Sequence, residues 1–376
     1  MSGERIVIVG AGIAGAATAW HLAAAPGSRQ VLVLEREPDP GRHATGRNAA
    51  ILRSLMPDPL LGALAAESVP FFRDPPAGFA EQPLLDPVGL FLGAPAEHAG
   101  ALRSWAVQPR TGAVEVSPAE LYRRIPALAP GIEFTVHQPD EGVVDVHALL
   151  HGFLRGARAA GAELRLVTPA LRLHVQGGRV AGLDTPAGRV PADKVVLAGG
   201  GWAARLAAAA GFPMPLVPYR RHILVTQPLR QVDPRWPVLW IAGDEFYFRP
   251  ESGGLMMSAC DKTPVDPDEG EVPDPSEKER IAALAARWLP AFAGAGAAHF
   301  WAGMRTYAPD ERFLIGPDPR CGGLYWCAGL AGHGITCAPA AGALAAAWIV
   351  TGASRHPAAQ AMAPSRLLVA PAPVGS

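Results

Sequence analysis

The chain has 376 residues, of which 49% are hydrophobic and 18% charged, and its formal net charge is -1. This length and composition allow one large or two ordinary cores and exclude a disordered chain. The near-zero charge predicts no strong non-specific attraction to nucleic acid or to anionic membranes.

The spacing of the cysteines and the length of the apolar runs indicate whether the chain binds a metal, is secreted or crosses a membrane. The four cysteines (Cys260, Cys321, Cys327 and Cys337) fit no C-x-x-C pair and no zinc spacing, so we expect reduced, mostly buried thiols and no metal. Residues 1–4 are too short and polar for a signal peptide. The longest weakly polar run, 337–350, is too short for a membrane span and contains Pro339. We therefore expect a cytoplasmic protein without a membrane span.

The first predicted unit is residues 5–35, with apolar strands at 6–9 and 31–34 and a helix at 13–25. Gly10 permits a sharp turn, Gly12 lets the backbone approach a pyrophosphate, and Gly15 lets the helix lie close to the strand. The positive end of the helix dipole would face the phosphates. Glu35 is placed to accept hydrogen bonds from an adenosine ribose. This order of elements predicts a dinucleotide-binding fold without separating NAD from FAD.

Donor side chains crowd the loop that follows. A loop of this kind is either an ordinary surface connection or a cradle for phosphate and ring, and its place after a dinucleotide motif favours the cradle. The donors are Arg42, His43, Thr45, Arg47 and Asn48.

The remaining elements are predicted from periodicity and from turn residues. Helices are predicted at 59–72, 118–124, 146–160, 275–289 and from the AGHGIT segment to 350. Strands are predicted at 84–92, 131–137, 163–166, 171–176, 179–184, 194–198, 221–226, 238–242, 245–249, 254–259 and 324–328. Three glycines after residue 198 predict a second strand-to-helix turn at the cofactor edge. The chain beyond His356 is expected to be loosely held.

The domains are predicted to be interleaved in sequence. We assign residues 1–74, 143–215 and 300–364 to the nucleotide-binding domain and residues 75–142 and 216–299 to a smaller substrate domain, with 365–376 as a loose tail.

Eight stretches of the chain occur in an order typical of one superfamily. They are GAGIAGA, VLERE, HATGRNAA, FFRDPPAGF with QPLL, VVLAGGGW, DEFYFRP, WAGMRTY and AGHGI. In these stretches the chain resembles the FAD-dependent D-amino-acid, glycine and sarcosine oxidases and dehydrogenases, and most closely the bacterial D-arginine dehydrogenases. The resemblance implies an α/β fold, with a Rossmann-like FAD-binding domain interleaved with an α+β substrate domain whose antiparallel sheet covers the flavin.

The resemblance also assigns cofactor contacts to the pyrophosphate, the adenosine and the flavin ring. Amides near the pyrimidine end of the ring could stabilise the negative charge of the reduced flavin. The cysteine that attaches flavin in sarcosine oxidases would fall near Gly303, so we expect non-covalent FAD. Together with the donors of the loop and the second glycine turn, the candidate cofactor residues are Gly10, Gly12, Ile13, Ala14, Gly15, Glu35, Arg36, Arg42, His43, Ala44, Thr45, Gly46, Arg47, Asn48, Ala49, Ala50, Ile51, Ala170, Gly199, Gly200, Trp202, Gly329, Ala331, Gly332, His333, Gly334, Ile335 and Thr336.

A carboxylate clamp is implied by three residues. Arg305 could hold a carboxylate through two N-H bonds, Tyr247 could donate its hydroxyl, and Arg221 could add a second guanidinium. Gly332 would offer its carbonyl to the amine. His333 could modulate protonation, although a merely packed histidine fits as well. The implied reaction is hydride transfer from Cα to flavin N5, followed by hydrolysis of the imine to a 2-oxo acid and ammonia.

Departures from the D-arginine dehydrogenases bear on the substrate. This chain has Leu90, Ile51 and Met56 where those enzymes carry an acidic residue, a histidine and a tyrosine. A pocket lined by these apolar side chains would leave the guanidinium of an arginine substrate buried and unpaired. We expect arginine and lysine to be poor substrates and a D-amino acid with an apolar or neutral side chain to be favoured. If Arg53 points inward, it would instead favour a substrate with a second carboxylate, such as a D-glutamate-like compound or 2-hydroxyglutarate. Pointing outward, it is only a solvated charge.

The electron acceptor and two rival functions remain open. Met256 stands where sarcosine oxidases carry a flavin-adjacent lysine that helps to activate oxygen, which favours a quinone over oxygen as acceptor. A 2-hydroxy-acid dehydrogenase would need a base, for which His333 or His222 are candidates. A flavin-binding scaffold or partner subunit without activity is the third function, and the presence of Arg305 and Tyr247 argues against it.

Overall fold

The computed structural model describes residues 3–109 and 111–368. The strands are β1 (Glu4–Val9), β2 (Arg29–Leu34), β3 (Ile51–Leu52), β4 (Leu85–Asp86), β5 (Leu90–Ala94), β6 (Val114–Val116), β7 (Phe134–Gln138), β8 (Gly142–Val144), β9 (Glu163–Arg165), β10 (Arg172–Gln176), β11 (Arg179–Thr185), β12 (Gly188–Pro191), β13 (Lys194–Leu197), β14 (Val217–Thr226), β15 (Val238–Ile241), β16 (Phe246–Glu251), β17 (Gly254–Ser258), β18 (Thr263–Pro264), β19 (Ala297–Tyr307), β20 (Leu314–Pro317) and β21 (Leu324–Ala328). The α-helices are α1 (Ile13–Ala24), α2 (Pro59–Arg73), α3 (Ala96–Ala106), α4 (Pro118–Arg124), α5 (Val146–Ala159), α6 (Ala203–Ala208), α7 (Pro275–Trp288), α8 (Gly334–Thr351) and α9 (Ala359–Met362). Short 3-10 helices lie at Gly200–Trp202, Pro290–Phe292 and Pro364–Leu367.

The chain divides into two compact units, each assembled from separate segments. Unit 1 contains Met1–Gly46, His147–Pro218 and Arg305–Ser376, and unit 2 contains Arg47–Val146 and Tyr219–Met304. Residues 47–74, which the sequence analysis assigned to the nucleotide-binding domain, belong to unit 2.

Unit 1 is built on a six-stranded sheet in the order β20-β21-β13-β1-β2-β9. The neighbouring strands from β21 to β9 are parallel, and β20 is antiparallel to β21. A Cβ on Gly15 would clash with the carbonyl oxygen of Gly10, so glycine is required for α1 to lie this close to the end of β1. The strand, turn, helix and strand expected in the first 35 residues are confirmed.

Helix α8 packs against α1 at Gly342, where an added Cβ would lie 2.7 Å from the carbonyl carbon of Ala17. In the described part of the chain, α8 is the one helix long and apolar enough to cross a membrane, and 67% of its residues are buried. This burial within the unit accounts for the apolar composition of the helix.

Unit 2 is built on a mixed sheet in the order β18-β14-β17-β16-β15-β5-β7-β6, and β19 pairs with β14. Because cross-strand partners share a face, Phe91, Leu239 and Phe248 form one row on one face. The same face packs against Ile281 and Trp288 of α7 and forms the larger apolar core of the unit. The opposite face carries Trp240, Tyr247 and Met256.

The expectation of a loose chain beyond His356 is wrong for residues 357–368. Ala359 and Met362 are buried. Arg366 donates to both carboxylate oxygens of Asp310, at 2.7 and 2.9 Å. The predicted loose tail from 365 is thus held as far as 368, and its residues 369–376 lie outside the described residues.

Candidate active site

The glycine turn of unit 1 fits a phosphate-binding role. Helix α1 begins at Ile13, has Gly12 as its N-cap and carries no acidic residue in its first turn. Gly12 and Ala14 are both partly exposed. The positive end of the helix dipole and glycine at the point of closest approach are what an anion site requires.

Glu35 at the end of β2 is a fixed hydrogen-bond acceptor. It is 8% exposed, and its two carboxylate oxygens accept hydrogen bonds from the backbone N-H groups of Ala11 at 2.7 Å and Glu37 at 3.0 Å. A carboxylate has about four lone-pair sites, so capacity remains for ribose hydroxyls. The residue therefore fits its expected role towards the adenosine.

Several predicted cofactor residues also contact one another. The guanidinium carbon of Arg36 lies 3.7 Å from the centre of the Trp202 ring, and His43 lies 4.6 Å from the same ring. Glu37 contacts His43 Nε2 at 2.9 Å and Arg42 Nε at 3.5 Å. These donors therefore stabilise the loop around Glu37.

Two further segments of unit 1 reach the nucleotide turn. The Thr168 N-H donates to the Glu35 carbonyl at 2.7 Å, so the segment carrying Ala170 lies at the end of β2. A Cβ on Gly10 would lie 2.7 Å from the carbonyl oxygen of Ala198, so the turn carrying Gly199 and Gly200 lies beside Gly10. Thr45 accepts a hydrogen bond from the Ile13 N-H at 3.0 Å, which ties the 44–46 segment to the start of α1.

The continuation of this loop, residues 47–51, belongs to unit 2. The Trp301 Nε1-H donates to the Arg47 carbonyl at 3.4 Å, and Arg249 Nε donates to the Ala49 carbonyl at 2.9 Å. Ala50 has a positive φ of 56°, a strained conformation for a residue other than glycine. The role of Arg249 in holding this loop was not predicted, although alternation along β16 places its side chain on the same face as Tyr247.

The turn before α8 forms a second backbone site in unit 1. Gly329, Ala331 and Gly332 have positive φ values of 64°, 46° and 80°. Helix α8 begins at Gly334, after the N-cap His333, and has no acidic residue in its first turn. Ile335 and Thr336 in this turn are buried, whereas Gly332 is exposed. The N-H groups of Ala331 and His333 donate to the carbonyls of Thr306 and Leu330, so the expected role near an electron-rich ring falls to the other amides of this segment.

Arg305 and Gly332 lie in contact. A Cβ on Gly332 would lie 2.6 Å from Arg305 Cδ and 2.9 Å from its Nε and Nη1 atoms. The Ala331 N-H donates to the Thr306 carbonyl at 3.0 Å, which anchors the turn beside Arg305. Two of the residues predicted for substrate binding are thus adjacent in unit 1.

The unit 2 candidates share one sheet face. Tyr247 lies directly opposite Trp240 in the β15–β16 pair, and the rings stack with centroids 4.9 Å apart. Met256 lies in one apolar cluster with Tyr247, Ile223 and Val225. Since side chains alternate along a strand, Arg221 points to the same side as Ile223 and Val225. Arg221 is 7% exposed, and its Nε has no hydrogen-bond partner among the described residues.

His222 has both ring nitrogens engaged. Nδ1 contacts Asp261 Oδ2 at 2.8 Å, and Nε2 accepts from the Asp274 N-H at 2.8 Å. Burial opposes ionisation of Asp261, but the hydrogen bonds from His222 outweigh it and lower the pKa of Asp261. Asp261, His222 and Glu277 lie close enough to hold a metal ion. Since Nε2 already accepts a backbone N-H, the arrangement is explained by hydrogen bonding alone.

The predicted pocket residues differ in exposure. Met56 and Leu90 are fully buried, and Leu90 packs with Leu55 and Leu92. Ile51 is partly buried. Arg53 is 8% exposed, and its guanidinium carbon lies 4.1 Å from the centre of the Trp240 ring. The interpretation of Arg53 as a solvated outward charge is therefore wrong.

The family model described as FAD dependent oxidoreductase (DAO) matches residues 5–348. The chain belongs to this family. FAD is its cofactor, and the α/β fold with interleaved segments agrees with the expectation from the sequence.

Individual relatives are similar over most of their length. Glycine oxidase from Pseudomonas aeruginosa is 31% identical over 353 residues, covering 90% of this chain and 92% of the relative. Among solved structures, iminodiacetate oxidase from Chelativorans is 25% identical, with a TM-score of 0.79 over 96% of this chain and all of that one. L-proline dehydrogenase from P. horikoshii has a TM-score of 0.86 at 22% identity, covering 97% and 98%. The finer likeness to D-arginine dehydrogenases remains a prediction.

Proposed function

We propose that the protein catalyses the FAD-dependent oxidative deamination of a small amino acid, with a D-amino acid as the expected substrate. The observation that carries the proposal is the contact of the Arg305 guanidinium with exposed Gly332 at the start of α8. A planar guanidinium suits a carboxylate because it offers two parallel N-H bonds. The Gly332 carbonyl can then accept a hydrogen bond from the substrate amine.

The chain contributes orientation and electrostatics to this reaction. FAD, when bound, supplies the acceptor for the hydride that leaves Cα. The residues at Arg305 and Gly332 hold the carboxylate and the amine, which fixes the direction of the Cα-H bond. The N-terminal amides of α8 stabilise negative charge that develops nearby. Water then hydrolyses the released imino acid to a 2-oxo acid and ammonia.

Small size and a side chain without positive charge define the proposed substrate. The names of two relatives, glycine oxidase and iminodiacetate oxidase, support a small amino acid. Leu90 and Met56 are fully buried and apolar, so they offer no carboxylate to a cationic side chain. Burying an unpaired guanidinium or ammonium group costs several kcal/mol. Arginine and lysine should therefore be poor substrates.

The proposed electron acceptor is a quinone. Met256 is 5% exposed and packs among apolar residues, so this position carries no positive charge to stabilise the negative charge that oxygen acquires on reduction. We also propose that FAD is bound without a covalent link, since position 303 carries glycine and a Cβ there would lie 3.0 Å from the Arg47 carbonyl oxygen.

The alternative function, a 2-hydroxy-acid dehydrogenase, needs a base, and one of its two candidate bases is engaged elsewhere. A base must accept a proton from the substrate hydroxyl, and both nitrogens of His222 are engaged with Asp261 and Asp274. His333 remains as the other candidate.

The proposal is tested by measuring products. Purified holoenzyme with a quinone-type dye should release ammonia and a 2-oxo acid in equal amounts from at least one small amino acid. Oxidation of 2-hydroxy acids without ammonia release would favour the hydroxy-acid dehydrogenase instead. Absence of turnover with every amine and hydroxy acid would favour a flavin-binding scaffold.

A further inference from the structure

The imidazole of His222, in β14, holds both ends of one irregular loop. Its Nδ1 lies 2.8 Å from Oδ2 of Asp261, and the backbone N-H of His222 donates to Oδ1 of the same carboxylate at 2.7 Å. Its Nε2 accepts the N-H of Asp274 at 2.8 Å. We call residues 262–273, which run between these two contacts, the clasped loop. All of these residues belong to unit 2.

The clasp depends on a neutral imidazole with its proton on Nδ1. Because Nε2 accepts a backbone N-H, it carries no proton, and Nδ1 is the donor to Asp261. Burial opposes ionisation of Asp261, but the bonds from His222 lower its pKa, so the acceptor is a carboxylate. The Phe300 ring lies 5.4 Å from the imidazole at an interplanar angle of 15°. His222 is 1% exposed, so a ring nitrogen that loses its partner stays buried without water to replace it.

Regular structure covers one short part of the clasped loop. Thr263 and Pro264 form β18, opposite Arg220 and Tyr219 of β14. Further along the loop, the Glu269 carbonyl accepts a hydrogen bond from Arg220 Nη2 at 3.2 Å. A loop of twelve residues with its ends held together is an Ω-loop, a type of segment that is frequently functional.

The clasped loop reaches Arg47. Nε of Arg47 lies 2.9 Å from Oε2 of Glu271, which makes an ion pair rather than an aligned hydrogen bond. Nη1 of Arg47 donates to the Ala302 carbonyl at 3.3 Å. Beside Glu271, a Cβ on Gly270 would clash with the Met304 side chain, so the loop lies directly on β19. The loop therefore fixes the Arg47 side chain against this strand.

Arg47 is the first residue of the 47–51 segment, which we predict to follow the flavin. The segment is strained at Ala50, whose φ is 56°, and strained backbone persists only where its surroundings hold it. The Trp301 Nε1-H holds the backbone of Arg47 by donating to its carbonyl at 3.4 Å, whereas Glu271 holds its side chain. Release of Glu271 would remove one of these two restraints.

We propose that His222 is a positioning residue for FAD: by closing the clasped loop it places Glu271 on Arg47 and keeps the 47–51 segment shaped for the cofactor. This inference rests on the proposed function in one respect, the assignment of the 47–51 segment to the flavin. In this role His222 acts through the loop rather than by touching the cofactor.

Two variants release opposite ends of the loop. In His222→Asn, the amide N-H can replace the Nδ1 donor to Asp261, but the shorter side chain does not reach Asp274. In His222→Gln, Oε1 can replace the Nε2 acceptor for Asp274, and the donor to Asp261 is lost. Hydrogen exchange of the holoenzyme, followed by mass spectrometry, should be about tenfold faster at residues 270–274 in the first variant and at residues 262–265 in the second.

FAD affinity tests the link from the loop to the cofactor. Titration of apoprotein with FAD should give a Kd about two- to fivefold higher in both His222 variants and in Glu271→Gln, the range expected for a partly exposed ion pair. Glu271→Gln should leave hydrogen exchange at Asp274 as in wild type, because it breaks the contact beyond the clasp. Combined with His222→Asn, it should raise the Kd little further, because both changes remove the same contact. A general loss of stability would not produce this pattern.

The matched control is His174→Gln. Nε2 of His174 lies 2.5 Å from Oδ2 of Asp184, a histidine–carboxylate contact of the same kind between β10 and β11 of unit 1. This variant should change neither the exchange of the clasped loop nor the Kd for FAD. If one His222 variant does not fold, the other and Glu271→Gln decide. Unchanged exchange of the clasped loop, an unchanged Kd, or fully additive effects of the His222 and Glu271 changes would overturn the inference.

None of these measurements requires turnover, which separates this inference from the proposed function. Oxidation of an amino acid by wild type, with the same Kd for FAD in all variants, contradicts the role of His222 and leaves the proposed deamination standing. A Kd that depends on the clasp, without oxidation of any amino acid, supports the role of His222 and contradicts the proposed reaction.

Discussion

The side chain of Arg305 occupies the space that a side chain on Gly332 would need. A Cβ at position 332 would lie 2.6 Å from Arg305 Cδ, and Gly332 has a φ of 80°. Glycine is therefore required here for two separate reasons, its backbone conformation and the close approach of the arginine.

Gly332→Ala should displace Arg305 and weaken substrate binding. We expect the KM to rise by about tenfold or more, since one charge-assisted interaction is disturbed. The control is Gly352→Ala at the other end of α8, where φ is 70° but no atom lies within 4 Å of an added Cβ. Both variants should lose about 1 kcal/mol of stability through backbone strain. A rise in KM in both, or in neither, would show that the contact with Arg305 does not position the substrate.

Glu35→Gln should weaken FAD binding. Both carboxylate oxygens accept backbone N-H groups, so an amide would turn its NH₂ towards one of these donors. We expect the Kd for FAD, measured by titrating apoprotein, to rise by about 10- to 100-fold. Glu163→Gln, an exposed acid on the adjacent strand β9, is the control. An unchanged Kd in Glu35→Gln would remove this residue from the cofactor site.

Glu141→Gln should be increasingly stabilising as the pH rises. Burial raises the pKa of Glu141 from 4.5 to about 8, so the folded state favours the protonated acid. This favourable contribution is complete below pH 4.5 and is lost as the pH rises through 8. The full shift corresponds to at most about 5 kcal/mol. Urea unfolding at pH 5 and pH 9 should show a difference between variant and wild type that grows with pH. A difference independent of pH would contradict the raised pKa.

Met256→Lys should speed the reaction of reduced flavin with oxygen. A cation at this position would stabilise the negative charge that oxygen acquires, by a factor on the order of 10 to 100. Met256→Leu keeps the position apolar and should behave as wild type. The rates are measured by mixing reduced holoenzyme with aerated buffer, and equal rates in the three proteins would remove Met256 from the choice of acceptor.

Local sequence patterns were sufficient to predict the nucleotide-binding part of the fold. The turn at Gly10, Gly12 and Gly15 and the acid at Glu35 lie within 26 residues, and each is required by local geometry. Strand β19 was missed because its residues, AAHFWAGMRTY, show no clean alternation of apolar and polar side chains. Helix α3 was missed between the strand predicted at 84–92 and the helix predicted at 118–124, where no element was predicted.

The site was less predictable where partners are distant in sequence. The role of His222 depends on Asp261 and Asp274, which lie 39 and 52 residues away. The direction of Arg53 depends on Trp240, nearly 190 residues along the chain, and the two-residue strand β3 before it is too short to set a pattern. Arg366 holds the C-terminal segment through Asp310, a contact that composition alone could not reveal.

The central claim is that Arg305 holds the carboxylate of an amino acid for oxidation by FAD. It is tested most directly by anaerobic stopped-flow reduction of the flavin, comparing wild type, Arg305→Lys and Arg305→Ala against a panel of D- and L-amino acids. Wild type should be bleached by at least one small amino acid. Arg305→Ala should need about 100-fold more substrate at unchanged FAD content, with Arg305→Lys intermediate. Equal substrate dependence in all three proteins, or loss of FAD on replacing Arg305, would contradict the claim.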